Sequence, residues 1–264
     1  MVKTKVKSHT TKKSYFNIFV EKILKRRGKM LHNQDIEKIL IDIMGEVYTR
    51  TKWYKLVHLA KNRWFLISLK KDVYYAPHDW EEMHDMLQKR YWPILHDHIK
   101  TYIQGKGIIT WTHALNLLLQ NYEIPDVISI ISPNKQCQEV IVGDKIAAIK
   151  KMASNKISLF STIKQTARKA SVNGKSFTIT SVTISLLEAL YAQTDNDFAT
   201  IEICKKVLKK YWKQMDREEV TMLLRKGKYH TSINKLYSIA RGLDDWYANH
   251  IMEIIKKHSY RIST

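Results

Sequence analysis

The chain has 264 residues, 44% of them hydrophobic, which is enough for one large domain or two small ones with apolar cores. Its net charge of +20 makes polyanions the expected partners. No stretch approaches the roughly 18 consecutive apolar residues of a membrane-spanning helix, and two cysteines exclude a disulfide framework or a four-thiolate zinc site.

The positive charge is concentrated near the N-terminus. Residues 1–78 carry 18 Lys and Arg against 6 Asp and Glu, whereas residues 79–264 carry 27 against 19. This distribution favours double-stranded DNA over a membrane surface as the partner. Residues 1–13 are basic and polar without an apolar segment, so they predict a flexible tail rather than a secretory signal, and the chain is expected in the cytoplasm. Whether this tail contacts phosphates or is simply solvated stays open.

The first elements predicted are three helices and a hairpin. A helix over residues 14–27 ends at Gly28. A second helix over residues 34–44 is capped by Asn33 and broken by Gly45, and a third follows over residues 47–61. Strands are predicted over residues 64–69 and 73–76, joined by a turn over residues 70–72.

A helix, a tight turn, a basic helix and a basic-tipped hairpin together predict a winged helix-turn-helix over residues 14–78. In that fold the second helix of the motif enters the major groove of DNA. The alternative is a small α/β subdomain with an ordinary solvated charged face.

The predicted DNA contacts fall into three groups. One group on the third helix would face base edges and the flanking phosphates, a second would hold phosphates beside the groove, and Tyr54 would be an exposed aromatic contact. The first group is Thr49, Arg50, Thr51, Lys52 and Lys55, and the second is Lys61, Arg63, Lys70 and Lys71. Most of the remaining aromatics of this region, Trp53, Trp64, Tyr74 and Tyr75, are expected in the core.

Residues 79–264 predict an α+β domain that begins with helices up to about residue 103 and ends in a helical bundle. In between, a short extended segment at 108–110 precedes a helix that Thr110 caps, over residues 111–120. Four strands are expected before the bundle, over residues 127–131, 139–142, 157–161 and 176–180, and the bundle helices span residues 182–192, 198–212, 217–226, 231–243 and 245–258. The fold class is therefore α+β, a winged helix-turn-helix followed by an α+β domain.

Three stretches resemble the AbiEi-type antitoxins, the transcriptional-regulator half of type IV toxin–antitoxin systems. Residues 54–57, 64–67 and 73–74 are similar to that family's recognition helix and wing. Residues 107–115 with 124–125 resemble the strand and helix that open its second domain, and residues 177–180 with 186–190 resemble the start of its C-terminal helices. Asn62 and Asp72 replace wing glycines, and Thr183 replaces an acidic residue.

The resemblance implies a repressor that binds an operator, for which inverted repeats are one option, and a C-terminal domain with antitoxin activity. It also implies a nucleotidyltransferase toxin encoded nearby, with which no stable complex is expected.

Alternative functions rest on weaker patterns. Asp126 and Glu139 partly resemble a nuclease site, but Ile141 stands where a lysine is expected. His84, His96 and His98 could gather on neighbouring helical turns as a metal site, but His96 and His98 fall on different faces of a helix, so exposed or capping roles are predicted instead. The chain is predicted to be no enzyme and to need no cofactor; a DNA-processing nuclease and a replication-associated DNA-binding protein of a mobile element remain the alternatives.

Overall fold

A computed structural model describes residues 14–70, 72–78, 85–133, 138–142, 145–151, 157–192, 197–227 and 229–257. The fold is mixed α+β, as the sequence predicts, and the chain divides into two compact units, residues 1–86 and 87–264. The sequence places this boundary between residues 78 and 79. The predicted tail, residues 1–13, lies outside the described residues. Among the described helices, none is both long and apolar enough to cross a bilayer.

Within the described residues, the first unit (residues 1–86) contains three helices and a three-stranded antiparallel sheet. The strands lie in the order β1–β3–β2, and Tyr74 of β3 pairs with Leu31 on one side and Ser68 on the other. The elements are α1 (Tyr15–Leu24), β1 (Met30–His32), α2 (Asn33–Met44), a 3-10 turn (Gly45–Val47), α3 (Arg50–Asn62), β2 (Ile67–Lys70) and β3 (Val73–Tyr75).

The core of this unit is formed by the apolar stripes of its three helices, which the sheet completes. Each helix buries residues three or four positions apart, because that spacing returns to the same face of a helix. The buried helical residues are Phe19 and Ile23 of α1, Ile36, Ile39 and Leu40 of α2, and Trp53, Val57 and Ala60 of α3.

Several local details of the first unit differ from the prediction. Helix α2 begins at Asn33 and is capped by His32 rather than by Asn33, because the Asp35 carboxylate accepts the His32 backbone N–H at 2.9 Å. Helix α3 begins at Arg50 rather than at residue 47, because the Thr49 hydroxyl accepts the Lys52 backbone N–H at 3.3 Å and caps the helix there. Strand β2 begins at Ile67 rather than at Trp64. Trp64 has the left-handed φ of 60° and is 63% exposed, so it lies outside the core, whereas Trp53, Tyr74 and Tyr75 are buried.

The second unit, residues 87–264, contains a six-stranded mixed sheet and a group of C-terminal helices. The strand order is β6–β7–β5–β4–β9–β8, with parallel pairing only of β5 with β7 and of β4 with β9 among the described strands. A π-type turn (Met86–Arg90) leads into the unit, and its elements are α4 (Tyr91–Tyr102), β4 (Ile108–Ile109), α5 (Trp111–Leu118), β5 (Val127–Ser132), β6 (Gln138–Val142), β7 (Lys145–Lys151), α6 (Ile157–Thr166), β8 (Arg168–Val172), β9 (Lys175–Ile179), α7 (Val182–Ala192), α8 (Phe198–Tyr211), a 3-10 turn (Trp212–Gln214), α9 (Arg217–Gly227), α10 (His230–Arg241) and α11 (Asp245–Lys257).

The strand predicted over residues 157–161 is wrong. This segment begins helix α6, in which Phe160 and Ile163 are buried one turn apart. A short apolar run has no periodicity of its own, so the neighbouring elements decide between helix and strand. Strands β7 and β8 were not predicted, because their lysines and arginine interrupt the alternation of apolar and polar residues that indicates a strand.

Helix α7 is the centre of the second unit. All residues from 182 to 190 are buried, including the polar Thr183, Ser185 and Glu188. The helix follows β9, and α5 follows β4; since β4 and β9 are parallel, the two helices begin at the same edge of the sheet. The other C-terminal helices pack their apolar faces around α7, which explains why it is apolar almost all round.

Candidate nucleic-acid interface

Helix α3 has two clearly different sides. Trp53, Val57 and Ala60 are buried on the side facing the core. The opposite side is open to solvent. The residues predicted to contact DNA that are exposed on or beside this helix are Thr49, Arg50, Thr51, Lys52, Tyr54, Lys55, Lys61 and Arg63. The structure thus brings eight of the ten predicted contacts to one exposed helix and its ends.

The start of α3 is built by short-range polar contacts. Thr49 caps the helix, and the Lys52 ammonium donates a hydrogen bond to the Val47 carbonyl oxygen at 2.8 Å. This contact ties the Lys52 side chain back to the preceding turn. Lys55 is the basic residue of α3 that lies nearest the middle of the exposed side. Thr51 lies on the same side, one helical turn earlier.

Arg50 is held by acidic and aromatic neighbours. Its Nη1 donates to Glu37 Oε1 at 3.1 Å, and its guanidinium lies 4.7 Å from the Trp53 ring centroid and 5.4 Å from that of Tyr54. The Tyr48 hydroxyl donates to the same Glu37 oxygen at 2.8 Å. Burial and the bond to Glu37 raise the pKa of Tyr48, so its hydroxyl remains a donor at neutral pH. Glu37 therefore orients Arg50 in the free protein.

Two residues on the exposed side escaped the sequence prediction. His58 and Asn62 are exposed, and they continue the spacing of Thr51 and Lys55 by one and two further turns of the helix. The Asn62 amide nitrogen lies 3.1 Å from His58 Nε2. The spacing of four, three and four residues was readable in the sequence. The sequence prediction was based mainly on positive charge, and it therefore did not include these uncharged hydrogen-bonding side chains.

The end of α3 is basic and lies against α1. The Arg63 guanidinium lies 5.2 Å from the Phe16 ring centroid. Both residues line a shallow groove of about 290 Å³ together with Val20 and Phe65. Trp64 follows with most of its indole in solvent.

The hairpin tip is tied to the start of α2. The Asn33 amide donates to Asp72 Oδ1 at 2.9 Å, and Asp72 adopts the left-handed φ of 65° that the turn requires. Lys70 ends β2 as the partner of Val73. Lys71 lies outside the described residues, and the structure describes only the backbone of Lys70.

The hairpin also approaches the first turns of α3. Burial raises the pKa of the Tyr74 hydroxyl, Asp72 and Tyr54 raise it further, and Arg50 opposes them. Tyr74 of β3 therefore lies within electrostatic range of Tyr54 and Arg50.

The acidic residues considered for a nuclease site are on the second unit. Asp126 is exposed and forms an ion pair with the Lys145 ammonium at 2.5 Å, which lowers the pKa of its carboxyl. Glu139 is exposed on β6. Within the described ranges, no three His, Cys, Asp or Glu side chains are grouped to hold a metal ion. His84 lies outside those ranges, while His96 contacts Asp97 at 3.2 Å and His98 is buried.

The buried carboxylate of the second unit has partners that the sequence did not predict. The Glu188 carboxylate accepts hydrogen bonds from the hydroxyls of Thr110 and Tyr229, the latter at 3.2 Å. Thr110 thus uses its hydroxyl for Glu188 rather than for capping α5, although it occupies the cap position. These residues are 78 and 41 positions from Glu188, so the contacts required the tertiary fold.

Comparison with known proteins gives a fold and no family. No protein-family model matches the chain, and no curated protein matches it. Among solved structures, the chain is similar to the crystal structure of the Rv2827c protein from Mycobacterium tuberculosis. The TM-score is 0.56 at 11% sequence identity, over 91% of this chain and 81% of that one. At this identity the likeness concerns the fold alone.

Proposed function

We propose that the chain is a winged helix-turn-helix DNA-binding repressor that also serves as the antitoxin of a type IV toxin–antitoxin pair. The observation that carries the DNA-binding part is helix α3, which buries one side and presents basic and hydrogen-bonding groups on the other. A helix fits the major groove of B-DNA, where each base pair has its own pattern of donors and acceptors. The sequence resemblance supports the antitoxin part.

In this proposal α2 and α3 form the helix-turn-helix, and the β2–β3 hairpin is the wing. Thr51 and Lys55, near the middle of the exposed side of α3, would meet base edges. Lys61 and Arg63, at its end, would bind phosphates on one flank. Lys70 and Lys71 at the hairpin would bind phosphates on the other, which fixes the register of the protein on the duplex without reading sequence.

Arg50 has a particular place in this arrangement. Its donors can bind guanine O6 and N7 in a bidentate manner, but one of them is engaged by Glu37 at 3.1 Å in the free protein. Binding DNA would either exchange that contact for the base or use Glu37 to aim the remaining donors. In both cases Arg50 contributes to base preference.

Gel shifts on the DNA upstream of the protein's own gene test the DNA-binding part. Arg50→Ala should weaken operator binding about 10- to 100-fold and relax preference at one base pair. Lys22→Ala is the matched control, because it removes the same charge from the exposed side of α1. It should change affinity little. Equal affinity of wild type and Arg50→Ala, or equal losses in both variants, would refute this role of α3.

Phosphate contacts have a different signature. The double variant Lys70→Gln/Lys71→Gln should weaken binding to all duplexes alike. It should also lower the slope of log affinity against log salt by about 2, since each phosphate contact contributes about 0.9.

A binding selection from random duplexes distinguishes the proposal from a replication-associated DNA binder. A repressor should enrich one motif, whereas a general binder should enrich none.

A separation-of-function experiment tests the antitoxin part. The adjacent gene is expected to encode a nucleotidyltransferase toxin, and co-expression of the full chain should restore growth. Arg50→Ala should lose repression but still neutralise the toxin, because the resemblance places neutralisation in the second unit. Failure of the wild-type chain to restore growth would contradict the antitoxin part of the proposal and leave only the DNA-binding part.

A further inference from the structure

The second unit has a cluster of aromatic rings at the edge of its core, and one of these rings is exposed. The aromatic platform consists of Trp212 from the 3-10 turn and Trp246, Tyr247 and His250 from α11. The Trp212 and Trp246 ring centroids are 3.9 Å apart with the rings near perpendicular. Trp246 and His250 are nearly parallel, at 7° and 5.9 Å.

Trp246 is the open member of this platform, because 48% of its surface is in solvent. Exposed large hydrophobic side chains occur elsewhere in the chain, so the informative feature of Trp246 is that neighbouring rings hold its indole in place. Here the indole is supported by Trp212 and His250 and is still accessible. An aromatic ring held in this way is pre-oriented for another planar ring to stack on it.

Dense positive charge adjoins the platform. Residues 205–213, from α8 and the 3-10 turn, contain five lysines and no acidic residue. The Lys213 ammonium lies 5.5 Å from the Trp212 ring centroid, and that of Lys210 lies 5.2 Å from Tyr211. Lys209 and Lys210 are exposed on α8. Lys213 therefore adjoins the platform directly, and Lys209 and Lys210 lie on the last turn of α8, just before Trp212 in the chain.

One acidic side chain lies beside the lysines of α8. Glu202 bonds the Lys205 ammonium at 2.6 Å. That bond, aided by Lys206 and Lys209, lowers the pKa of the Glu202 carboxyl. Because Lys205 is paired with Glu202, the exposed Lys209 and Lys210 are the lysines of this helix that are assigned to phosphates.

The other side of the platform keeps His250 uncharged at neutral pH. Burial, and next the nearby Arg217, lower the pKa of the imidazole, while Glu253 opposes them. Arg217 Nη2 lies 3.1 Å from His250 Nδ1 and 3.3 Å from Glu253 Oε2.

We propose that the aromatic platform and the lysines of residues 205–213 bind single-stranded nucleic acid. An unpaired base stacks on Trp246, and the adjoining phosphates pair with Lys209, Lys210 and Lys213. Rows of cations beside aromatic rings bind single strands in this way, whatever the base, because every base has a flat face. A duplex does not fit, since its bases already stack on one another. The site is independent of the duplex-binding role proposed for α3.

The test is fluorescence anisotropy of the full chain with a labelled oligouridylate of about 12 nucleotides, within the site sizes of such surfaces. Trp246→Leu keeps an apolar side chain against Trp212 but removes the stacking face. It should weaken single-strand binding about tenfold, the effect of losing one stacked base. Trp246→Phe, which retains a flat ring, should keep most of the affinity.

Trp64→Leu is the matched control, because it removes another exposed tryptophan, 63% accessible, from the first unit. It should leave oligouridylate binding unchanged, and Trp246→Leu should leave operator duplex binding unchanged. Far-UV circular dichroism establishes that each variant is folded. Equal oligouridylate affinity of Trp246→Leu and wild type, or an equal loss in Trp64→Leu, would overturn the proposal.

The lysines are tested separately through salt dependence. Replacing Lys209, Lys210 and Lys213 by Gln should lower the salt slope for oligouridylate by about 2, since each phosphate contact on a single strand contributes about 0.7. An unchanged slope would overturn the assignment of phosphates to these lysines. Loss of duplex binding in Arg50→Ala with intact oligouridylate binding would show that the two sites are distinct.

Discussion

His113 should make the second unit less stable in mild acid. The residue lies on α5, and its Nδ1 accepts the Ser129 backbone N–H at 3.4 Å. Burial lowers the pKa of its imidazole from 6.5 to about 4. The unfolded chain therefore binds a proton between these pH values that the folded chain does not. Stability is fully present above pH 6.5, falls as the pH drops from there towards 4, and levels off below.

The size of this effect follows from the shift. One pKa unit corresponds to about 1.36 kcal/mol, and the linkage relation gives a loss of about 2 kcal/mol between pH 7 and pH 5 from this one group. The chain contains 25 Asp and Glu, which also titrate in acid, so the absolute change is not informative. The informative quantity is the difference between wild type and a variant without the imidazole.

Urea unfolding of wild type and His113→Asn at pH 7 and pH 5 measures that difference. The asparagine oxygen can accept the Ser129 N–H but does not titrate. The free energy of unfolding of wild type should fall by about 2 kcal/mol more than that of the variant between the two pH values. Proton NMR of the His113 ring should give a midpoint near 4. A midpoint near 6.5, or equal pH dependence of both proteins, would refute the reasoning.

Three further predictions concern packing and reactivity in the second unit. Gly107→Ala should cost about 1–3 kcal/mol of unfolding free energy in urea, since the added carbon would lie 2.4 Å from a neighbouring side chain, whereas Gly242→Ala, with 3.5 Å to its nearest neighbour, should cost little. Glu188→Leu leaves two buried hydroxyls, one of them that of Tyr229, without their acceptor, and should lower the melting temperature by an amount equivalent to about 2–5 kcal/mol. Burial raises the pKa of the Cys204 thiol to about 12, so peptide mapping after iodoacetamide treatment should find this cysteine unmodified until the protein is unfolded.

Much of the secondary structure was predictable from the sequence. Helix α7 has the predicted bounds, Val182–Ala192, because its apolar run is long and turn residues flank it. Helix α2 and the hairpin partners β2 and β3 were predicted to within a few residues. Long periodic segments carry their own signal, since burial requires one side of each helix or strand to be apolar. Short ones do not, which is why residues 157–161 were assigned to a strand rather than to α6.

The candidate interface was also largely predictable, because charge and helical spacing are local properties. Thr51, Lys55 and Tyr54 are exposed as expected. DNA binding and antitoxin activity remain proposals that these positions support. The sequence did not indicate that Glu37 would hold Arg50, because this contact depends on how α2 packs against the start of α3.

By itself, the sequence determined the α+β class, the concentration of charge in residues 1–78 and the amphipathic character of the long helices. Only the tertiary structure decided which distant residues meet. Trp212 and Trp246 are 34 positions apart in the chain and in contact in the fold. Glu188 finds its hydroxyl partners on α5's cap and ahead of α10. The physical reason is that periodicity specifies which side of an element is buried, whereas the partner of that side depends on how the elements pack together.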